Sequence, residues 1–282
     1  MNYIIKQFPE KKFTDKMDQT RFIKEHIKEL NAIKKMEYKT FSDVVLKDGF
    51  DTSSFVPEIE EITGDWIEVK AIINTTGVID SCMDLHIPGI WNKTVKDNPF
   101  NPVLKQHERM FESVIATKGK NYNQNMNFKD IGVDIDFVTQ ANCNTFLVNK
   151  SNQPLMFEKY ANGEVTQHSV GMMYVDYDIA YYDEDSQKEM DFFDECLKQC
   201  INPEVGKEYG YLWLVREAKK REGSPVVFAS NPLTPTLYVK NAQPPKSTSP
   251  NNMPEPQLST QAAKQSNKAL LEALNNLQIK LT

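Results

Sequence analysis

Ser169 lies in the segment VTQHSVGMMY at 165–174, beside Gly171. A serine hydroxyl is a weak nucleophile at its own pKa and needs a neighbouring base. His107 ends the run VLKQH at 103–107 and is a candidate base, and Glu222 downstream is a candidate orienting acid. These three residue types are the parts of a serine hydrolase.

Strand alternation sorts the four histidines, His26, His86, His107 and His168. In a regular strand Val165, Gln167, Ser169, Gly171 and Met173 face one way, and Thr166, His168, Val170 and Met172 face the other. His168 therefore points away from Ser169. His26 falls in a helical stretch outside the β region, which leaves His86 and His107 both open as the base. Gly171 shares the face of Ser169, and its missing side chain lets a substrate backbone come close. The plainer reading of the segment is a strand serine next to a bulge glycine. No G-x-S-x-G elbow is present.

A second constellation is Asp80, Asp84, His86 and His107, whose carboxylates and imidazoles are ligand types for zinc or manganese in a metal-dependent hydrolase. No H-E-x-x-H spacing supports it. Phosphate-binding loops of the G-x-x-x-x-G-K and G-x-G-x-x-G types are absent, and no base-stacking ribbon with interleaved lysines is evident. No cofactor is expected.

The elements that must position these residues are mostly strands. The chain has 282 residues with 40% hydrophobic and 10% aromatic content, enough for a sizeable core. A formal net charge of -6 gives no electrostatic case for nucleic acid. Cys82, Cys143, Cys196 and Cys200 are spaced as buried free thiols rather than a disulfide framework. With no signal-peptide core and no apolar run near the ~20 residues of a membrane span, a soluble protein of a reducing cytoplasm is expected.

Residues 66–74, 131–138, 146–148, 165–179, 212–215 and 226–228 read as strands, with Val133, Ile135 and Phe137 on one face of the second. Many strands with few helices predict a mostly β, α+β fold, a closed or nearly closed β-barrel with peripheral helices. Residues 1–64 form an N-terminal helical extension and lead-in. Within it, Phe22, Ile23, Ile27, Leu30 and Ile33 mark an amphipathic helix over 15–36, whose lysine-rich face reads as solvated surface. An inserted helix over about 183–202 presents Met190, Phe193, Leu197 and Cys200 or Ile201 and stops at Pro203. Residues 241–262 read as a disordered proline-rich linker. Beyond it, Ala263, Asn267, Leu270, Leu274, Leu277 and Leu281 form a short heptad seam over 263–282, a helix that needs a partner.

Four segments in this order resemble the caudovirus prohead serine proteases: NTTGVIDSCMDLHIPGIW at 74–91, VLKQH at 103–107, QHSVGM at 167–172 and EGSPVVFASNP at 222–232. The resemblance covers about residues 66–238. The inserted helix, the ASN in place of PAN at 229–231, and His168 before the serine depart from the family pattern. The resemblance implies an assemblin-like barrel over 65–240, shared with herpesvirus maturation proteases. It also implies His107 as catalytic base and Ser169 as nucleophile, with Glu222 as third member and Asp84 or Asp80 as its alternatives. The implied role is capsid maturation inside the immature prohead in the host cytoplasm, by cleavage of scaffold, capsid protein and the enzyme itself. The helix at 263–282 would dock on scaffold, and a homodimer is an option the family suggests. The contrasting expectation is a non-enzymatic capsid assembly or scaffolding protein that keeps an inactive barrel.

Overall fold

The computed structural model describes residues 3–36, 52 and 55–245. The linker beyond residue 245 and the heptad helix at 263–282 lie outside the described residues. Met1–Gln243 form one compact unit.

The chain opens with a hairpin, β1 (Tyr3–Ile5) and β2 (Phe8–Phe13), followed by α1 (Lys16–Met36). The short β3 (Glu58–Ile59) precedes β4 (Trp66–Thr75), β5 (Asp84–His86), α2 (Asn92–Asp97), β6 (Phe100–Leu104), β7 (Val114–Asn127) and β8 (Val138–Asn149). Then come α3 (Pro154–Ala161), β9 (His168–Tyr181), α4 (Gln187–Leu197), α5 (Pro203–Tyr209), β10 (Tyr211–Pro225) and β11 (Thr236–Asn241).

Nine strands form one mixed sheet in the order β3-β11-β4-β8-β7-β6-β10-β5, with β9 antiparallel along β10. β10 is the spine: β9 follows it for its length, while β5 lies parallel beside Trp213–Val215 and β6 meets it at Gly223. The mostly strand, α+β character follows the sequence pattern, but the sheet is not closed into a barrel. The gap lies between β9 and the run leading into β11. His168 N–H donates to Thr234 O at 3.1 Å and Thr236 Oγ1 to Val165 O at 2.6 Å, yet no ladder forms. Pro232 and Pro235 stand in that run, and proline carries no N–H with which to extend a ladder.

The largest apolar cluster joins Phe22, Ile23 and Leu30 of α1, Phe193 and Leu197 of α4, Val170, Met172 and Tyr174 of β9, and Trp213 of β10. It covers the back of the strand that carries Ser169. α1 matches the amphipathic helix expected over 15–36, but its lysine face is not all solvated. Lys34 is fully buried, its ammonium 2.6 Å from Asp84 and over the rings of Tyr174 and Trp213.

Three element expectations are corrected. Of the strand expected over 131–138 only Val138, the first residue of β8, lies in one: Gly132 adopts φ 83 after a 3-10 turn, and Ile135 and Phe137 N–H groups bond back to Val133 and Ile135 carbonyls. Val133, Ile135 and Phe137 still face one apolar cluster, which is the source of the alternating pattern. Residues 226–228 form a loop with Val227 and Phe228 exposed. The helix expected over 183–202 is shorter, and Pro203 opens α5 as well as following α4; proline fits a helix's first turn, where its missing N–H is not required.

Among the described residues no helix is long and apolar enough to cross a membrane. Cys143, Cys196 and Cys200 are buried free thiols, and burial pushes Cys143 up to about 11.

Candidate active site

β9 alternates as its sequence requires. His168, Val170, Met172 and Tyr174 are buried on the core side. Ser169 is half-buried on the other side, where Met173 and Val175 are exposed. His168 packs at full burial against Tyr160, whose hydroxyl is 3.1 Å from its Nε2. Desolvation lowers its pKa to about 4, so it stays neutral near pH 7.

Across the ladder, Ser169 stands opposite Ser224 and Gly171 opposite Glu222. Directly opposite residues of an antiparallel pair point to the same face. Ser169, Gly171, Glu222 and Ser224 therefore share one side of β9 and β10. A bulge at Arg221 sets this register, because Lys220 faces Met172 while Glu222, two residues on, faces Gly171.

His107 reaches this face from the loop after β6. Glu108 N–H donates to Lys105 O at 3.0 Å, and Gln106 and His107 have φ values of 53 and 61. Positive φ at both central residues is the signature of a type I′ turn, which favours asparagine and glycine. The turn is tied to β10 by Gln106 N–H to Pro225 O at 3.2 Å and His107 N–H to Ser224 Oγ at 3.2 Å. Glu222 Oε1 accepts from His107 Nδ1 at 2.6 Å. Glu222 Oε2 accepts from Ser224 Oγ at 2.6 Å. The Glu222 side chain is almost wholly buried and the His107 ring mostly so.

Beneath this face Lys220 is buried, with its ammonium 2.6, 2.7 and 3.2 Å from the side-chain oxygens of Asn144, Asn142 and Asn121. Desolvation lowers its pKa to about 7, against the attraction of Glu222. Gly223 makes room for this network, since a Cβ there would lie 2.8 Å from Asn144 Oδ1. A cleft of about 390 Å³ runs beside the site between Pro102, Leu104, Arg109, Met173, Arg221 and Glu222. Met110 and Phe111 on the His107 loop and Val227 and Phe228 after β10 are exposed.

The sequence-level alternatives fall elsewhere. Asp84 pairs with Trp213, nine residues before Glu222 on β10, or roughly 30 Å at strand rise. Asp84 accepts from Tyr174 at 2.5 Å and faces Lys34, while Asp80 Oδ1 accepts from the N–H groups of Cys82 and Asp84. His86 Nδ1 is 2.9 Å from Asn74, which holds Trp91. Asp80, Asp84 and His86 do come within metal-ligand reach of one another, all buried. His107 is not part of that group, and the buried Lys34 ammonium faces Asp84 within it.

Sequence reasoning missed the hydrogen bonds of Ser224 and the burial of Lys220. The signal for both was weak, because the run REAKKREGSP at 216–225 reads as exposed and charged. No family model, curated protein or solved structure matches this chain.

Proposed function

We propose that the chain is a serine endopeptidase of prohead maturation, acting on scaffold and capsid protein segments and on itself. The observation that carries the reading is the 2.6 Å bond from His107 Nδ1 to Glu222, on the face where Ser169 lies one strand away. Ser169 Oγ attacks the scissile carbonyl, forming a C–O bond as His107 Nε2 takes the hydroxyl proton. His107 returns that proton to the leaving nitrogen as the C–N bond breaks. Water, deprotonated in the same way, then releases the acyl group as a carboxylic acid and restores Ser169. Glu222 keeps the Nδ1 proton in place and stabilises the imidazolium.

The cleft beside Glu222, lined also by the exposed Met173, suits an extended peptide, while Gly171 itself is buried. The four ordered segments that resemble prohead proteases support the capsid role, and the mostly strand, α+β character is compatible with it. The proline-rich run at 241–262 is the proposed self-cleavage segment.

The test is co-expression of the full chain with the scaffold and capsid proteins of its virus. Wild type should yield shortened products, with cuts in the chain itself mapped by mass spectrometry to 241–262, and Ser169→Ala should yield none. Cleavage by Ser169→Ala at the wild-type rate overturns the reading.

A further inference from the structure

We infer that Ser224 is a positioning residue of this site, fixing both the backbone of the general base and the carboxylate behind it. The inference rests on the protease reading for its kinetic consequence, while its geometric content stands apart from that reading. Ser224 is fully buried, and its one hydroxyl makes two bonds. Its proton goes to Glu222 Oε2 at 2.6 Å and its lone pair takes the His107 N–H at 3.2 Å.

Two demands meet at this oxygen. The first is strain. Gln106 and His107 both hold positive φ without being glycine, a strained conformation that persists only when surrounding bonds enforce it. Ser224 Oγ and Pro225 O are the two acceptors that hold the N–H groups of these residues. The second demand is the carboxylate. Glu222 has one oxygen for His107, and its other oxygen is held by Ser224, which fixes rotation about the last side-chain torsion. The ring and its carboxylate are thus aligned from one atom, two residues beyond Glu222 on β10. Opposite Ser224 lies Ser169, so this atom's residue neighbours all three members of the proposed triad.

The test compares Ser224→Ala with Ser224→Thr in the full chain. On a scaffold peptide, Ser224→Ala should lower kcat about 10- to 100-fold with KM within about twofold, the size expected for sub-ångström misplacement of a catalytic group. Ser224→Thr, which keeps the hydroxyl, should recover most of that loss. A second readout needs no activity. The His107 Nδ1 proton should give a downfield proton resonance, identified by its disappearance in His107→Gln. It should move upfield or broaden in Ser224→Ala and stay in place in Ser224→Thr. If the alanine variant does not fold, Ser224→Cys, a weak donor of similar shape, replaces it with the same expectation. An unshifted resonance in the alanine or cysteine variant overturns the inference, whatever the kinetics. Retained cleavage by Ser169→Ala instead overturns the protease reading, and the resonance still decides the role of Ser224.

Discussion

His107 and Glu222 are 115 residues apart in sequence and share a hydrogen bond of 2.6 Å between Nδ1 and Oε1. The pair forms because a strained turn after β6 leans over the end of β10, where the Arg221 bulge has turned Glu222 to the same face as Ser169. Glu222→Gln keeps the shape and removes the charge that stabilises an imidazolium. It should lower kcat on the order of 10³- to 10⁴-fold with little change in KM. Steady-state kinetics on a scaffold peptide checks this, and a drop of less than about tenfold would remove Glu222 from the proposed triad.

The exposed loops should act on binding rather than on chemistry. Phe111 is 95% exposed and Val227 65% exposed, on the two loops that meet through Gln106 and Pro225. Truncating both to serine should raise KM for a protein substrate about tenfold and leave kcat within about twofold, since apolar area lost from uniform binding shows in KM. Equal losses in kcat would place these loops in the machinery instead.

The ion pair between Lys34 and Asp84 ties α1 to β5, and Asp84 also accepts from Tyr174 of β9. Both side chains are fully buried. Lys34→Met leaves the Asp84 carboxylate without its ammonium and should destabilise the fold by about 3 to 5 kcal/mol, while adding Asp84→Asn should recover part of the loss. Urea unfolding of the three variants measures both steps. An unaffected single mutant would mean that α1 is not anchored by this pair.

His168 makes stability pH-dependent with a definite sign. Its folded pKa of about 4 lies below the unfolded value near 6.5, so the unfolded chain binds a proton that the folded chain does not. Stability from this residue is therefore complete above about pH 6.5 and declines as pH falls towards 4, by about 3 kcal/mol at the limit. Thermal unfolding between pH 7 and 4.5 should show this slope in wild type and a flatter one in His168→Gln. Parallel slopes would assign the acid sensitivity to other groups.

Sequence alone determined what short-range periodicity controls. Alternation along 165–174 placed Ser169 and His168 on opposite faces, because successive side chains of any strand must diverge. The apolar spacing over 15–36 marked α1, and the pattern over 66–74 marked β4. The candidate residues His107, Ser169 and Glu222 were legible by type and order, but the sequence kept Asp84 and Asp80 open beside Glu222. Tertiary structure alone placed Glu222 against His107 and Asp84 against Lys34, since the choice depends on which strands flank β10 and at what height. It also decided that the sheet stays open at Pro232 and Pro235, and that the charged run 216–225 is a central strand. Lys220 and Glu222 of that run are buried because Lys220 finds three asparagines and Glu222 finds His107 on other segments of the chain, with Ser224 beside it on β10. Burial of charge is set by distant partners, which no local pattern encodes.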